Sequence, residues 1–377
     1  MRANDHLPLS GCRVIELAGV GPAPFAAMML GELGADVVRI ERVGGERLFP
    51  GAPELEFTNR GKRSVRLNLK ESAAVAAVLR AVSVSDILIE GYRPGAAERL
   101  GLGPTDCLEA NPSLVYGRMT GWGQDGPRAG EVGHDINYLA ITGALHAIGP
   151  AESPAIPLNL LGDFGGGGTY LVTGILAALR QAESTGRGQV VDAAIVDGVL
   201  HLMTGIHAMA AAGAWKSARQ SNLLDGAAPF YCTYRTSDGG HVAVGAIESR
   251  FFSALIDGTG VDIDLDRQHD VEYWPVIRER LATAFSGRTR DEWQAHFAGT
   301  EACVTPVLSI QEAAADPHLR ARGSFTGEAS RLQARPAPRL SRVPEVTPSR
   351  PPLPGADSRE ILAEWGLTSE EIANLTV

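Results

Sequence analysis

Two residues of the chain, His134 and Asp163, have the side chains and the setting expected of proton-transfer groups. His134 follows Gly133 at the start of a segment with helical character, and Asp163 lies between Gly162 and the run Gly165–Gly168. Both are therefore predicted at the mouth of a helix. Two such groups on opposite sides of one carbon can remove a proton from one face and return it to the other. The plainer alternative is a capping aspartate on a glycine-rich loop and a histidine that is satisfied locally.

The composition is that of a soluble globular protein. The chain has 377 residues, 44% hydrophobic and 21% charged, which is enough for one large or two medium domains. The formal net charge of -10 argues against a nucleic-acid partner but leaves room for a local basic groove. Cys12, Cys107, Cys232 and Cys303 are far apart and form no CxxC motif. They predict reduced thiols, a cytoplasmic location and no metal site.

No segment predicts export or a membrane span. Residues 1–6 lack the apolar core of a signal peptide. The most apolar stretch, residues 195–214, is interrupted by Asp197, His201 and His207. It predicts a buried helix, and we expect no membrane partner.

Strands and helices alternate along the first half of the chain. Residues 13–17 read as a buried strand, a glycine-rich turn follows at 18–24, and a helix is expected over 25–33. This order indicates an α/β fold in which a Rossmann-like, doubly wound parallel sheet forms the large domain. The further predicted elements are strands at 35–41, 87–90 and 114–119 and helices near 72–81 and after Pro94.

The second half changes character. The segments 230–236 and 241–246 flank the turn Ser237–Gly240 and predict an antiparallel hairpin in a smaller α+β domain. Residues 335–354 are proline-rich and predict an extended arm, and 358–374 predict a helix with Ser358 as N-cap. The expected organisation is a large domain at 1–194, a linker helix at 195–229, a small domain at 230–312, and a return linker with a C-terminal segment that packs on the large domain at 313–377.

The turn Gly19-Val20-Gly21 offers one alternative function. It follows a strand and precedes a helix, and Glu41 ends the next strand, as in a dinucleotide-binding unit. Pro24, however, stands where the third glycine would be and removes a backbone donor that would face the pyrophosphate. A nicotinamide cofactor is thus the weaker interpretation of these residues.

Several segments, taken in order, resemble one family, the class III CoA-transferases (CaiB/BaiF), which includes racemases of 2-methylacyl-CoA thioesters. The resemblance covers nearly the whole chain and includes the motifs around His134 and Asp163. The other segments that carry it are 9–17, 33–41, 59–64, 90–95, 118–124 and 336–339. Racemases of the family have histidine where this chain has His134, whereas transferases tend to have another residue there.

The resemblance implies an activity of lipid metabolism, the interconversion of (2R)- and (2S)-2-methylacyl-CoA through an enolate. His134 would serve the S face and Asp163 the R face, with no cofactor, since coenzyme A is part of the substrate. It further implies an interlocked homodimer, in which Glu248 of one chain reaches the site of the other and raises the pKa of Asp163. Backbone N–H groups of Gly165–Gly168 are expected to receive the enolate oxygen.

Coenzyme A carries three phosphates, and the resemblance assigns a set of residues to it. Arg42 and Arg99 would bind phosphate oxygens, and the backbone at 67–69 would recognise the adenine. The full expected set is Arg42, Leu67, Asn68, Leu69, Lys70, Gly91, Tyr92, Arg93, Arg99, Gly133, Asp135, Ile136, Asn137 and Tyr138. The basic residues between 39 and 70 cluster around it in sequence, and the stretch between Val43 and Phe57 matches the family least.

Two other functions stay open on the sequence. In a CoA-transferase Asp163 would attack the acyl-CoA as a nucleophile and pass coenzyme A to a free carboxylic acid. A non-catalytic acyl-CoA-binding protein would not need to keep His134, Asp163 and Glu248 together. The sequence leaves the acyl group undetermined among sterol side chains, branched fatty acids and arylpropionyl groups.

Overall fold

The computed structural model describes residues 6–44, 52–327, 331–343 and 347–375. These residues form two compact units. The first comprises the residues up to Thr142, Leu158–Leu202 and the residues from Gly323 onward, and the second comprises Gly143–Pro157 and Met203–Arg322. This division differs from the expected boundaries, because residues 143–157 leave the first half of the chain to join the second unit.

The elements of both units are as follows. The strands are β1 (Arg13–Leu17), β2 (Asp36–Arg42), β3 (Arg63–Leu67), β4 (Ile87–Glu90), β5 (Val115–Thr120), β6 (Val190–Ala194), β7 (Tyr231–Arg235), β8 (His241–Gly245), β9 (Val304–Pro306), β10 (Phe325–Thr326) and β11 (Gln333–Ala334). The helices are α1 (Pro22–Glu32), α2 (Ser72–Val82), α3 (Ala96–Arg99), α4 (Pro104–Ala110), α5 (Asp135–Ile141), α6 (Ala144–Ala147), α7 (Thr169–Thr185), α8 (Ile195–Leu202), α9 (Thr204–Ala211), α10 (Ser249–Thr259), α11 (Trp274–Phe285), α12 (Arg290–Phe297), α13 (Ile310–Ala315), α14 (Pro317–Ala321), α15 (Ser358–Glu364) and α16 (Ser369–Leu375). A π-helix spans Leu160–Gly168, and single 3₁₀ turns lie at Pro53–Leu55, Phe57–Asn59 and Leu265–Arg267.

The first unit is built on a six-stranded sheet. Its strand order is β3-β2-β1-β4-β5-β6, and all five pairings are parallel. This is the strand order of the Rossmann fold. The predicted α/β fold with a parallel sheet is confirmed. In such a sheet, ligands bind beyond the carboxyl ends of the strands, which directs attention to the loops after each strand.

Continuous apolar runs form the central strands because helices cover both faces of a parallel sheet. Ile87, Leu88 and Ile89 of β4 are fully buried. The helix after β1 starts earlier than the predicted residue 25. Its first residue is Pro22, whose fixed φ suits the first helical position, where no N–H is needed.

The apolar stretch at 195–214 is not one buried helix, contrary to the expectation. It forms α8 and α9, which are separated at Met203. No residue of α9 is buried, and Leu202 at the end of α8 is half exposed. Among the helices that the structure describes, none has the length and apolar character required to cross a bilayer.

The second unit contains the predicted hairpin. β7 and β8 pair antiparallel, with Tyr231 opposite Gly245, and β9 joins the free edge of β8. Aromatic side chains fill the core of this unit, among them Phe230, Phe285 and Trp293. The hairpin therefore forms part of a three-stranded sheet covered by helices.

The C-terminal segment returns to the first unit at β3. The backbone N–H of Asp357 donates to the Ser64 carbonyl (3.0 Å), and the Asp357 carboxylate accepts the Ser64 N–H (2.8 Å). The single helix expected over 358–374 is two helices, because Gly366 adopts φ 79° between them. Asp357, not Ser358, occupies the N-cap position, and the Ser358 hydroxyl instead accepts the Arg66 N–H. In the proline-rich arm, residues 344–346 lie outside the described residues, and 335–343 and 347–354 contain no helix or strand.

Candidate active site

His134 begins the helix that follows the loop after β5. It is the N-cap of α5, with extended backbone (φ −128°, ψ 174°), and its carbonyl accepts the N–H groups of Asn137 and Tyr138. The Asn137 side chain accepts the His134 N–H in return (3.0 Å). Asn137 therefore fixes the backbone of the histidine, while the His134 side chain stays exposed and available to a substrate.

Tyr138 contacts the same loop with both its ring and its hydroxyl. Its ring packs edge-on against Trp122, with 4.7 Å between ring centroids, and its hydroxyl donates to the Gly133 carbonyl (2.5 Å). A Cβ on Gly121 would lie 1.9 Å from the tyrosine ring, so only glycine fits there. The position of His134 is thus fixed by side chains on both sides of it.

Asp163 lies inside a helix, not in front of one. The π-helix begins at Leu160, three residues before Asp163, and runs without a break into α7. In a π-helix each N–H bonds the carbonyl five residues earlier, as Phe164 does to Asn159 and Thr169 to Phe164. The N–H groups of Gly165–Gly168 belong to this ladder. The expectation that they are free to receive an enolate oxygen is therefore wrong.

The glycines serve packing instead. A Cβ on Gly198 of α8 would lie 1.8 Å from the Gly166 carbonyl oxygen, so the two backbones touch at that point. On the other side, the ring of Phe25 in α1 stacks on Phe164, with 4.4 Å between centroids. The wide π-helix is held between α1 and α8, and it carries Asp163 at a fixed place between them.

Asp135 connects the two candidate catalytic residues. It is buried, and its carboxylate accepts the backbone N–H of Asp163 (2.6 Å) and that of Gly162. A Cβ on Gly162 would lie 2.3 Å from the same carboxylate, which shows how closely the segments approach. Asp135 was expected to contact coenzyme A; the structure uses it to join α5 to the π-helix.

The surroundings of Asp163 raise its pKa to about 6. Burial is the largest cause, because it disfavours the charged carboxylate, and the negative charge of Asp135 acts in the same direction. A hydrogen bond from Asn159 and the charge of His134 lower the pKa and offset part of the effect. The carboxyl can therefore be present in either protonation state near neutral pH. The carboxylate beside Asp163 within this unit is Asp135, which the sequence did not identify in that role.

A second region, at the carboxyl ends of β2, β3 and β4, forms a cavity of about 530 Å³. It unites residues that come from three separate loops. They are Arg42, Val43, Leu67, Asn68, Leu69, Lys70, Gly91, Tyr92, Arg93, Ala96, Arg99 and Leu100. The nine residues that the sequence assigned to coenzyme A before position 100 all lie here, whereas Val43, Ala96 and Leu100 were missed. In the stretch from Val43 to Phe57, residues 45–51 lie outside the described residues.

Four cationic side chains line this cavity, and one of them, Arg42, is stacked on an aromatic ring. The guanidinium carbon of Arg42 lies 5.0 Å from the centre of the buried Tyr92 ring. Arg42, Arg93, Arg99 and Lys70 are all exposed and line the same space. Positive charge around a cavity of this kind suits a ligand with several phosphates.

Other basic residues of the sequence cluster are used by the fold. Arg60 pairs with Glu32, at 2.7 Å between Nε and Oε1, and Arg63 pairs with Asp36 at 2.7 Å. Arg39 and Lys62 both pair with Glu16. Closeness in sequence to the cavity residues therefore does not show whether a basic side chain is available to bind phosphate or is used in an ion pair within the fold.

Glu248 lies in the second unit. It is exposed and forms the N-cap of α10 without a side-chain bond to the helix. Ile136, the remaining candidate, is partly exposed on the first turn of α5. No group of three or more histidine, cysteine or acidic side chains that could hold a metal occurs within the described ranges.

Known proteins resemble this chain over its whole length. The profile of CoA-transferase family III matches residues 9–358. Alpha-methylacyl-CoA racemase of Mus musculus is 44% identical, covering 97% of this chain and 96% of its own, and the Homo sapiens racemase is 43% identical, covering 98% and 96%. The crystal structure of a CAIB/BAIF family protein from Brucella suis superimposes with a TM-score of 0.81 at 26% identity and covers 96% of this chain and all of its own. Together with the parallel sheet and the paired His134 and Asp163, these matches place the chain in CoA-transferase family III.

Proposed function

We propose that this protein is an enzyme that interconverts (2R)- and (2S)-2-methylacyl-CoA thioesters. The observation that carries the proposal is the pairing of an exposed histidine with a half-buried carboxyl whose pKa is near 6, held at one site by Asp135. The similarity to two racemases over nearly the full chain supports the same activity.

The reaction needs one proton shared between the two groups. With His134 neutral and Asp163 protonated, the histidine removes the α-proton from the S face and the aspartic acid returns a proton to the R face. With His134 protonated and Asp163 charged, the direction is reversed. The two forms differ only in the location of one proton, so each direction of the reaction starts from a pair that carries a single proton. The thioester makes the α-proton acidic, and the intermediate is an enolate.

The enolate oxygen needs donors other than Gly165–Gly168. The first-turn N–H groups of α5, those of Asp135 and Ile136, have no partner within the helix, since its first four N–H groups lack preceding carbonyls and only Asn137 and Tyr138 bond back to His134. They lie next to the histidine that would remove the proton. We therefore propose them in place of the glycine amides.

The coenzyme A portion would occupy the cavity at the ends of β2, β3 and β4. Arg42 and Arg99 would bind its phosphates, and the backbone at 67–69 its adenine. All four cations around the cavity are exposed, and none of them is in a short ion pair with an acidic side chain that the structure describes, so they can exchange water for phosphate oxygens.

We further propose a homodimer in which Glu248 of one chain completes the site of the other. Apolar side chains around the site support an assembled state. Ile141 of α5 and Leu158, Leu160 and Leu202 near the π-helix are 47–69% exposed, although α5, the π-helix and α8 pack against one another. Such a patch is typical of a surface that binds another protein or an apolar ligand.

The decisive experiment follows one enantiomer of a 2-methylacyl-CoA in deuterated water. Racemisation predicts inversion together with α-deuterium uptake. Asp163→Asn should slow inversion by about 10²–10⁴-fold. The variant should still exchange the α-proton of the S substrate, because His134 remains. His134→Ala should show the reverse, retaining exchange of the R substrate only. Chiral chromatography and mass spectrometry of the product give both quantities.

A matched control is Asp36→Asn. Asp36 is the first residue of β2, so it lies at the amino ends of the strands, and it forms an exposed pair with Arg63. Its replacement should leave inversion unchanged. If the wild type shows no exchange but transfers coenzyme A to an added carboxylic acid, Asp163 is a nucleophile and the protein is a CoA-transferase.

Asp135→Asn should shift the pH dependence of kcat/KM. The negative charge of Asp135 raises the pKa of Asp163, so its removal lowers that pKa. The acid limb, at which the His134–Asp163 pair gains its second proton, is expected to move to lower pH by about one unit. Both substrate enantiomers should show the same bell-shaped profile, because both directions need one proton on the pair. An unchanged acid limb in a folded variant would contradict the role given to Asp135.

Arg99→Ala should weaken binding of coenzyme A thioesters without changing the chemistry. We expect KM to rise by about tenfold, as for loss of a charge-assisted bond, and kcat to stay within about twofold. The comparison variant is Arg80→Ala, an exposed arginine of α2 outside the cavity, which should leave KM unchanged. A fall in kcat at constant KM would place Arg99 at the reacting centre instead.

Co-expression of two defective chains tests the dimer. A heterodimer of an Asp163→Asn chain and a Glu248→Gln chain contains one site with both changes and one intact site, if Glu248 acts across the interface. Activity should then recover to about half that of a wild-type dimer, although each homodimer is impaired. No recovery in a purified heterodimer, or a stable folded monomer in gel filtration, would contradict the proposal.

A further inference from the structure

A buried charge cluster lies beneath the turn that joins β1 to α1. Glu16, at the carboxyl end of β1, is fully buried, and so is the Lys62 side chain, which lies just before β3. Lys62 Nζ is 2.6 Å from Glu16 Oε2, and the guanidinium of Arg39 on β2 bonds the other Glu16 oxygen and Glu41. Removal of such charges from water costs free energy, which the contacts of these side chains must offset.

The remaining donors of the cluster bind both ends of the β1–α1 turn. Arg39 donates to the Gly19 carbonyl (3.1 Å), and Lys62 Nζ donates to the Pro24 carbonyl (3.0 Å). Between these anchors the backbone passes through Gly21 at φ 70° and ψ −123°, a conformation that side chains with a Cβ rarely adopt. The cluster thus holds a turn whose geometry is not intrinsically favoured.

The middle of this turn faces the Asp163 carboxyl. A Cβ placed on Gly21 would lie 3.1 Å from Asp163 Oδ2 and 3.6 Å from its Cγ. The helix that continues from the turn packs against the π-helix, since a Cβ on Gly168 would lie 3.0 Å from the Pro22 carbonyl oxygen. The turn is therefore one wall of the space around the carboxyl.

We propose that Glu16, Arg39 and Lys62 are positioning residues that hold the Gly19–Pro24 turn against the Asp163 carboxyl and shield it from water. This inference rests on the proposed function, in which Asp163 exchanges a proton with the substrate. The three residues act through the turn and touch no reacting atom. This role is separate from that of Asp135, which binds the Asp163 backbone from the first turn of α5.

The consequence concerns the proton affinity of Asp163. Burial is the largest cause of its raised pKa, and the charged or titratable groups that act on it electrostatically are Asp135, His134 and Tyr138. Loosening the turn admits water without changing those three groups. The pKa of Asp163 is then expected to fall toward the value of a solvated carboxyl.

The test compares Lys62→Met with Arg60→Met. Both remove a buried cation from the same loop, but Arg60 pairs with Glu32 at the far end of α1 and with Gln333, not with the turn. In Lys62→Met the acid limb of kcat/KM should move to lower pH by about 0.5–1 unit, and kcat should fall by about 10- to 100-fold with little change in KM. In Arg60→Met the acid limb should not move.

A second readout does not depend on turnover. Carbodiimides modify protonated carboxyl groups, so the pH dependence of modification of the Asp163 peptide, followed by mass spectrometry, reports its protonation. Its midpoint should fall in Lys62→Met and not in Arg60→Met. If the wild type fails to racemise but this difference appears, the positioning role stands and the proposed function fails; if the wild type racemises without the difference, the reverse holds.

Loss of folding does not remove the test. If Lys62→Met does not fold, Lys62→Gln keeps a polar donor, one bond shorter than lysine, on the side of the Pro24 carbonyl and should give a smaller shift in the same direction. An equal shift in the Lys62 and Arg60 variants, or folded Lys62 variants with both the acid limb and the modification midpoint unchanged, would overturn the proposal.

Discussion

The carboxylate of Asp135 binds the backbone N–H groups of Gly162 and Asp163, and the arrangement of the site depends on this contact. It joins the helix that begins at His134 to the π-helix that carries Asp163. Because it is buried and negative, it also raises the pKa of Asp163. One side chain therefore joins the two segments of the pair and adds to the effect of burial on the proton affinity of Asp163.

The π-helix is the second constraint. Its backbone touches α8 where Gly198 meets Gly166, and α1 packs on its other side through Phe25. A wider helix with glycine on its faces can approach two neighbours at backbone distance, which an ordinary helix with side chains cannot. Asp163 is consequently a helix residue packed between two neighbouring helices rather than a loop residue.

Charge is distributed by function within an acidic chain. The cations nearest the buried strands, Arg39 and Lys62, neutralise Glu16 and hold the β1–α1 turn. Those that end strands or begin loops at the carboxyl edge of the sheet, such as Arg42 and Arg99, line the cavity instead. The net charge of -10 thus says little about the local field that a phosphate would meet.

The sequence by itself determined the parallel sheet, the hairpin and the identity of the candidate pair. Apolar runs such as Ile87–Ile89 predict strands of a parallel sheet, because a strand that is buried on both faces must be apolar throughout. The family resemblance, and not a local pattern, indicated the loops that line the cavity; the sheet brings them together because the carboxyl ends of parallel strands share one side of the sheet. The order of several motifs along nearly the whole chain, those around His134 and Asp163 among them, was enough to indicate the family.

Only the tertiary structure decided what each polar residue does. The glycine run predicted free amides after Asp163, but packing against α1 and α8 extends the helix backwards to Leu160 and consumes those amides. The sequence assigned Asp135 to a ligand and left Lys62 as one cation among several; in the structure the Asp135 carboxylate binds the Asp163 backbone and Lys62 binds the β1–α1 turn. Such roles depend on which segments meet, and residues 28 or 38 positions apart, such as Asp135 and Asp163 or Pro24 and Lys62, show no local pattern that records their contact.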